Sequence, residues 1–242
     1  MRAVWRSPGP RGQELDLSGD EVHFLWTFIQ GSIMIPETRA TLRRHWGMCG
    51  RHSLGFIAVE AAFRHAFLHG PAILYEDLMD RACRALAARG PLSAPWIVHR
   101  LRETGPCLMC ELGYGPGPAS SRYAPEGVVE RGRDLSQIRA FAGATVSWWR
   151  ATVCGRCAGD GRRARCRAHL RQDLLRGVAD PAEQRALVVR IAEHLRRYSR
   201  SFRWEDRGTE TAEDRAALVS AAGWCSGWGP WLALCAARPG GE

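Results

Sequence analysis

Four pairs of potential metal ligands, each pair separated by two residues, are set out between Cys49 and His169: Cys49 and His52, Cys107 and Cys110, Cys154 and Cys157, Cys166 and His169. Two intervening residues make a tight turn that brings both donors within about 2.0 to 2.3 Å of one ion. A single Cys-x2-Cys would equally fit a redox dithiol, but that needs a strand, turn and helix around it. Six thiols and two imidazoles are enough to fill two tetrahedral zinc sites with no open position. The competing account, buried thiols and surface histidines that fall in register by chance, has to explain the same spacing four times.

The pairs are of two kinds. Cys107-Leu108-Met109-Cys110 and Cys154-Gly155-Arg156-Cys157 have the form of knuckles, turns whose backbone amides point at the thiolates and stabilise their charge. Cys49-Gly50-Arg51-His52 and Cys166-Arg167-Ala168-His169 instead open helices: Phe56, Val59, Phe63 and Phe67 follow the first at helical spacing, and Leu170, Leu174 and Leu175 follow the second. A helix N-terminus favours a deprotonated thiol, and knuckle plus helix start is the ligand layout of a treble-clef-like site. The natural pairing joins Cys154 and Cys157 to nearby Cys166 and His169, and leaves Cys49 and His52 with Cys107 and Cys110. Crossed pairing stays open, and would lock the two halves of the chain together.

At 242 residues the chain can bury a substantial core, as one large domain or two small ones. Its first residues lack the charged, apolar and small-residue layout of a secretion signal, so a cytoplasmic, reducing compartment is expected. The nine cysteines are odd in number, which argues against a disulfide framework, and Cys83, Cys225 and Cys235 read as small core residues. Residues 216–237 carry no charge and are long enough to cross a bilayer. Gly223, Gly227, Gly229 and Pro230 interrupt that run, so no membrane association is expected.

All 34 basic residues are arginine. Without lysine there is no standard P-loop, no kinase strand lysine and no Schiff-base or pyridoxal-phosphate nucleophile. The net charge of +9 is uneven, with twelve arginines against five acidic residues in 151–200. Arg156, Arg162, Arg163, Arg165, Arg167 and Arg171 surround the second ligand quartet, where guanidinium groups can hold phosphates through paired hydrogen bonds. Nucleic acid or an acidic protein is the partner such a patch suggests. The alternative is a solvated basic face, or one that offsets the thiolate charge, since no aromatic stacking ladder accompanies it.

Helix signals dominate the rest, and strand alternation is scarce. Ser18 with Glu21 forms a capping box, Pro36 suits a first helical turn, and Asp180, Pro181 and Glu183 start another helix whose face is Leu187, Ile191, Leu195 and Tyr198. Residues 72–88 repeat Tyr75, Met79, Ala82 and Leu86, with Asp77–Arg81 and Asp80–Arg84 as expected surface pairs. Thr211 with Asp214 opens the last helix. Residues 113–133 are rich in Gly, Pro and Ser and have no apolar period, so they read as a linker or long loop between an N-terminal zinc-binding half (1–112) and a C-terminal one (134–242). Each half repeats one theme: a Cys-x2-His helix start, its helix, then an amphipathic helix. The expected fold is mainly α, with bundle-like halves and treble-clef-like zinc knuckles.

The runs Gly47-Met48-Cys49-Gly50-Arg51-His52, Ala72-Ile73-Leu74-Tyr75-Glu76-Asp77-Leu78 and Gly105-Pro106-Cys107-Leu108-Met109-Cys110 resemble an uncharacterised bacterial family of helical, Cys/His-rich proteins. The likeness is clearest from about Glu21 to Cys110. The chain differs in lacking a knuckle before Cys49 and in placing Cys157 where a histidine is expected. The resemblance implies zinc and helices, and brings no activity with it.

Enzyme patterns are incomplete. His65 and His69 are spaced to share a metal on one helix, but Ala66 stands where a zinc protease places its glutamate. Arg51-His52-Ser53-Leu54-Gly55 lacks the first glycine of a nucleophile elbow, and no His-x-Glu precedes the knuckles as a deaminase requires. The sequence therefore points to a zinc-binding protein with two structural ions and a binding or interaction role, with a zinc hydrolase or a thiol redox sensor using Cys154 and Cys157 as alternatives.

Overall fold

The computed structural model describes residues 15–90, 92–116 and 125–236. Among them the secondary structure is helical, with no strand. The first half holds α1 (Gly19–Ile29), α2 (Pro36–His45), α3 (Gly50–Phe63), α4 (His69–Leu86), α5 (Ser93–Arg100) and the single turn α6 (Leu108–Glu111). There follow α7 (Glu126–Arg133), α8 (Ser136–Ala144), α9 (Val146–Trp149), the single turn α10 (Gly155–Ala158), α11 (Arg167–Leu175), α12 (Pro181–Arg200), α13 (Ala212–Ser226) and α14 (Gly229–Ala236). The capping boxes at Ser18 and Thr211 and the Asp180 cap all form, each side chain accepting from a first-turn amide.

Two helices are buried on nearly every side. In α3 every residue from His52 to Ala62 is buried, and in α13 every residue from Ala216 to Cys225. A helix apolar all round belongs inside, and one-faced helices must enclose it. Accordingly α1, α7 and α8 lie against α3, while α4 and α12 lie against α13 and along each other. The expected α4 face of Tyr75, Met79, Ala82 and Leu86 is buried, as are Ile191, Leu195 and Tyr198 of α12, and one hydrophobic cluster runs from Leu17 to Leu234. The uncharged stretch bends at Gly227 (φ 95°) into α13 and α14, with Trp224, Trp228 and Trp231 buried between helices. No helix among the described residues is long and apolar enough to cross a membrane.

Several local expectations are corrected. His65 and His69 do not share a helix: α3 ends at Phe63, and His65 and Ala66 take left-handed conformations (φ 49° and 60°) before α4 begins at His69. Phe67, expected to extend the apolar face of α3, therefore lies in the connection, half exposed and stacked edge-on against Phe202. Asp77 and Asp80 are paired across the fold, to Arg43 (bidentate, Nε 2.6 Å) and Arg196 (one bond, 2.7 Å), because these arginines of α2 and α12 lie closer than the next turn of α4. Cys225 is buried, but Cys235 is exposed near the end of α14.

Within the Gly- and Pro-rich residues 113–133, Glu126–Arg133 is helical; 117–124 lie outside the described residues. The reason α7 left no apolar period is that close backbone approach and arginine–carbonyl bonds hold it. Gly132 faces Val22 of α1, Arg133 donates to Leu17 O (2.7 Å), and Arg131 donates to Ala62 O (3.2 Å) with its guanidinium over the Phe63 ring. A Cβ at Gly132 would lie 2.3 Å from a Val22 methyl, whereas one at Gly127 meets nothing within 4 Å. Gly132→Ala is expected to lower stability by about 1–3 kcal/mol through overpacking. Gly127→Ala on the same helix is expected to be neutral or to stabilise by up to about 1 kcal/mol. Denaturant midpoints of the two variants check this.

Candidate metal centres

The chain enters the first cluster through the end of α2. Trp46 takes a left-handed conformation (φ 65°), Gly47 (φ 98°) donates to Leu42 O at 2.8 Å, and the reversal sets Cys49 at the N-cap of α3. Trp46 tolerates that backbone because its ring is fully buried, edge-on to Trp224, with Nε1 donating to Arg102 O. Cys166 caps α11 in the same extended conformation as Cys49 (ψ 163° and 165°). Cys107 and Cys154 each precede one helical turn, α6 and α10. Both knuckles and both helix starts thus form where the spacing put them.

The eight residues come together as two groups: Cys49, His52, Cys107 and Cys110, and Cys154, Cys157, Cys166 and His169, the ligand atoms of each group within 4.8 Å of one another. The uncrossed arrangement is the one the fold adopts. In the first, His52 Nδ1 lies 3.3, 3.4 and 3.5 Å from the sulfurs of Cys49, Cys107 and Cys110, and Cys49 Sγ lies 3.9 Å from Cys110 Sγ. In the second, His169 Nδ1 lies 3.3, 3.4 and 3.3 Å from Cys154, Cys157 and Cys166, and Cys157 Sγ lies 3.8 Å from Cys166 Sγ. A tetrahedron with metal–sulfur bonds of about 2.3 Å and metal–nitrogen bonds of about 2.0 Å has edges of about 3.8 Å between sulfurs and about 3.5 Å between sulfur and nitrogen. The three sulfur–nitrogen distances in each cluster and the Cys49–Cys110 and Cys157–Cys166 sulfur distances match those edges, so three thiolates and one imidazole in each could hold a metal ion.

The charge state follows from the crowding. Hydrogen bonds from neighbouring thiols pull Cys107 and Cys154 far below the usual thiol range, while the same neighbours push Cys49 and Cys166 up. Hydrogen bonds to the Cys154 and Cys157 sulfurs, set against burial, raise His169 to about 9. Three sulfurs this close cannot all ionise unless a cation sits among them.

The supporting shells differ. His52 turns its other nitrogen, Nε2, to Oε1 of Glu21 at 3.0 Å, and Arg51 grips the same carboxylate with Nε and Nη2, both at 2.8 Å. Burial would raise the Glu21 carboxyl, but Arg51, His52 and the Ser18 amide hold it well below the usual range. A carboxylate behind a ligating imidazole fixes the ring and strengthens it as a donor. The role of Glu21 was not visible in the sequence, where its capping-box signature accounted for it fully. At the second cluster Gly155 takes the carbonyl of Ala164 (N–O 3.0 Å), folding the loop back so that Cys166 meets the knuckle. A Cβ at Gly155 would sit 2.3 Å from Arg162 O.

The arginines around this cluster are mostly engaged inside the fold. Arg156 (2.8 Å) and Arg165 (2.6 Å) converge on the buried carboxylate of Asp173, and Arg162 pairs with Asp160 at 2.9 Å. Arg167 is buried, donating to Cys225 O, Leu101 O and Glu103, with its guanidinium 5.6 Å from the centre of the Trp46 ring. Arg163 is exposed and Arg171 half-buried. Arg167 follows Cys166 directly and grips the segment leading to Cys107, so one side chain ties the two clusters together.

Comparison of the chain with protein-family models, with curated proteins and with solved structures yields no match. The resemblance to helical Cys/His-rich proteins consequently stands on the motifs and on the two clusters they build.

Two substitutions probe the supporting shells. Glu21→Gln keeps a capping side chain but removes the carboxylate, and is expected to weaken metal binding at the first cluster by about 10–100-fold while sparing the second, measured by competition with a chromophoric chelator. Arg167→Met leaves two buried carbonyls and Glu103 without their donor, and is expected to cost about 2–4 kcal/mol in chemical unfolding.

Proposed function

We propose that the protein is a zinc-binding helical module whose two ions, one on Cys49, His52, Cys107 and Cys110 and one on Cys154, Cys157, Cys166 and His169, are structural. The observation that carries this reading is the match of both quartets to tetrahedral edges, four donors each and no carboxylate among them. Soft thiolates in a tetrahedral set favour zinc over hard cations, and four protein ligands leave no position for substrate or water. Such an ion contributes folding free energy directly, on the order of 10 kcal/mol for small zinc domains. In this reading the ions hold the ends of α3 and α11 to the knuckles, and the protein acts by binding a partner, nucleic-acid phosphates or an acidic protein.

For partner binding, the internal engagement of Arg156, Arg165 and Arg167 narrows the available basic surface to Arg163, Arg171 and the outer faces of their neighbours. A partner that binds through phosphates should do so weakly and with steep salt dependence.

Elemental analysis of protein purified without added metal is expected to find two zincs per chain. Cys166→Ser should reduce that to one, and stripping with a chelator should lower the melting temperature. A stoichiometry of one or none would overturn the closed-site reading and favour the hydrolase or redox alternatives. Filter binding at low salt tests the nucleic-acid partner, and no retention of DNA or RNA would leave the acidic protein as the partner class.

A further inference from the structure

At the opposite end of α3 from the first cluster lies a solvent-open cavity of about 270 Å³. Its walls come from the turn after α1, from α2, from the end of α3 and from the start of α4, and they are apolar at Ile29, Ile33, Ile73 and Leu74. Charged groups of both signs enter it: Glu60 from α3, Arg64 from the α3 cap and Arg39 from α2. None forms an ion pair among the described residues, although Arg64 pulls electrostatically on Glu60. Glu60 is only 3% exposed, takes a hydrogen bond on Oε1 from the Gly70 amide (2.9 Å) and makes no ion pair among the described residues. Arg64 donates to the Ile29 carbonyl alone, and Arg39 has no partner among the described residues.

A buried carboxylate without a charged partner is costly, and so is the backbone that walls it. His65 and Ala66, consecutive non-glycine residues in left-handed conformation, close one side of the cavity through Phe67. Strain of this kind persists where the surroundings hold it and gathers at ligand sites. Gly70 contributes by absence, since a Cβ there would lie 2.7 Å from Glu60 Oε2. An apolar pocket with a few convergent polar groups is the usual form of a small-molecule site.

We propose that this cavity binds a small zwitterion with an apolar side chain, an α-amino acid or near analogue, with its ammonium on Glu60 and its carboxylate on Arg64 and Arg39. A zwitterion of this type is the ligand class that matches the carboxylate, the two guanidiniums and the apolar walls together. A monoacid would leave the Glu60 carboxyl unpaired, and an amine would leave the two guanidiniums so. Burial pushes the Glu60 carboxyl up to about 7 against the opposing pull of the Gly70 amide and Arg64. The other titratable groups around it are His69 of α4, itself lowered by burial, and Tyr198 of α12, raised by burial. An ammonium placed on Glu60 favours its ionised form, so binding near pH 6 should release a proton. None of the cluster ligands lines the cavity.

Calorimetric titration of the full chain with L-leucine and L-phenylalanine, and with 4-methylpentanoate and 3-methylbutylamine as analogues lacking one charge, tests it. The zwitterions are expected to bind at least about tenfold more tightly than either analogue, a difference of about 1.4 kcal/mol. Glu60→Gln should bring the zwitterion down to the affinity of the acid, and Arg39→Ala should weaken acid and zwitterion but not amine. Gly70→Ala, whose Cβ would displace the Glu60 carboxylate, should weaken the zwitterion and the amine but not the acid, and each variant is compared at unchanged helical content by circular dichroism. Should Glu60→Gln fail to fold, the half-exposed Arg39→Ala and the analogue series decide alone. Absence of binding by both zwitterions, an analogue binding as tightly as they do, or undiminished binding in a folded Glu60→Gln would overturn the proposal.

Discussion

Thiolate repulsion governs this structure. Three sulfurs and an imidazole drawn within 4.8 Å of one another store charge that the chain by itself can relieve only by keeping protons on some of them, and the first knot joins segments more than fifty residues apart in sequence. A cation at each centre would turn that repulsion into attraction. What surrounds the knots serves the same end. Cys49 and Cys166 occupy the N-caps of α3 and α11, where a helix favours a deprotonated thiol, and Glu21 and Asp173 hold the arginines nearby.

The two knots are alike in donors but not in chain order. In the first the helix start precedes the knuckle by more than fifty residues, room enough for α4 and α5; in the second the knuckle comes first and a short loop suffices. The later helices nevertheless meet: α4 and α12, each the helix after a Cys-x2-His start, pack along one another and against α13. The first knot is therefore a long-range clasp and the second a local one. Arg167 joins them, because it leaves Cys166 and ends on the backbone that delivers Cys107.

How much of this was legible depends on whether the signal was local. The ligand pairs, their knuckle or helix-start character, and the caps at Ser18, Asp180 and Thr211 are all fixed within four residues of sequence, and they formed as read. Long-range choices were not legible. Asp77 had an arginine four residues away and paired with Arg43 instead, and Glu21 explained itself as a cap while also serving His52. Helix α7 was missed because its contacts are made by a glycine and by arginine donors to carbonyls, neither of which leaves an apolar period. The arginine cluster misled in a related way: residue type gave the charge, but the buried position of Asp173, unseen in the sequence, directs Arg156 and Arg165 inward.

Helix α3 connects the two ends of this account. It carries His52 in its first turn and Glu60 two turns later, about 12 Å along the axis at 1.5 Å per residue. Its middle is buried on every face, so it has little freedom to rotate or slide without disturbing Leu54, Phe56, Ile57 and Val59 together. Fixing the N-terminus at the first knot therefore fixes the depth and direction of the Glu60 carboxylate against the Gly70 amide. That is a costly place for an unpaired acid, and the helix tolerates it because core packing and the Cys49–His52 anchor leave no cheaper position. The apolar character of α3 thus explains how the chain keeps the Glu60 carboxylate buried beside a pocket, with no ion pair among the described residues.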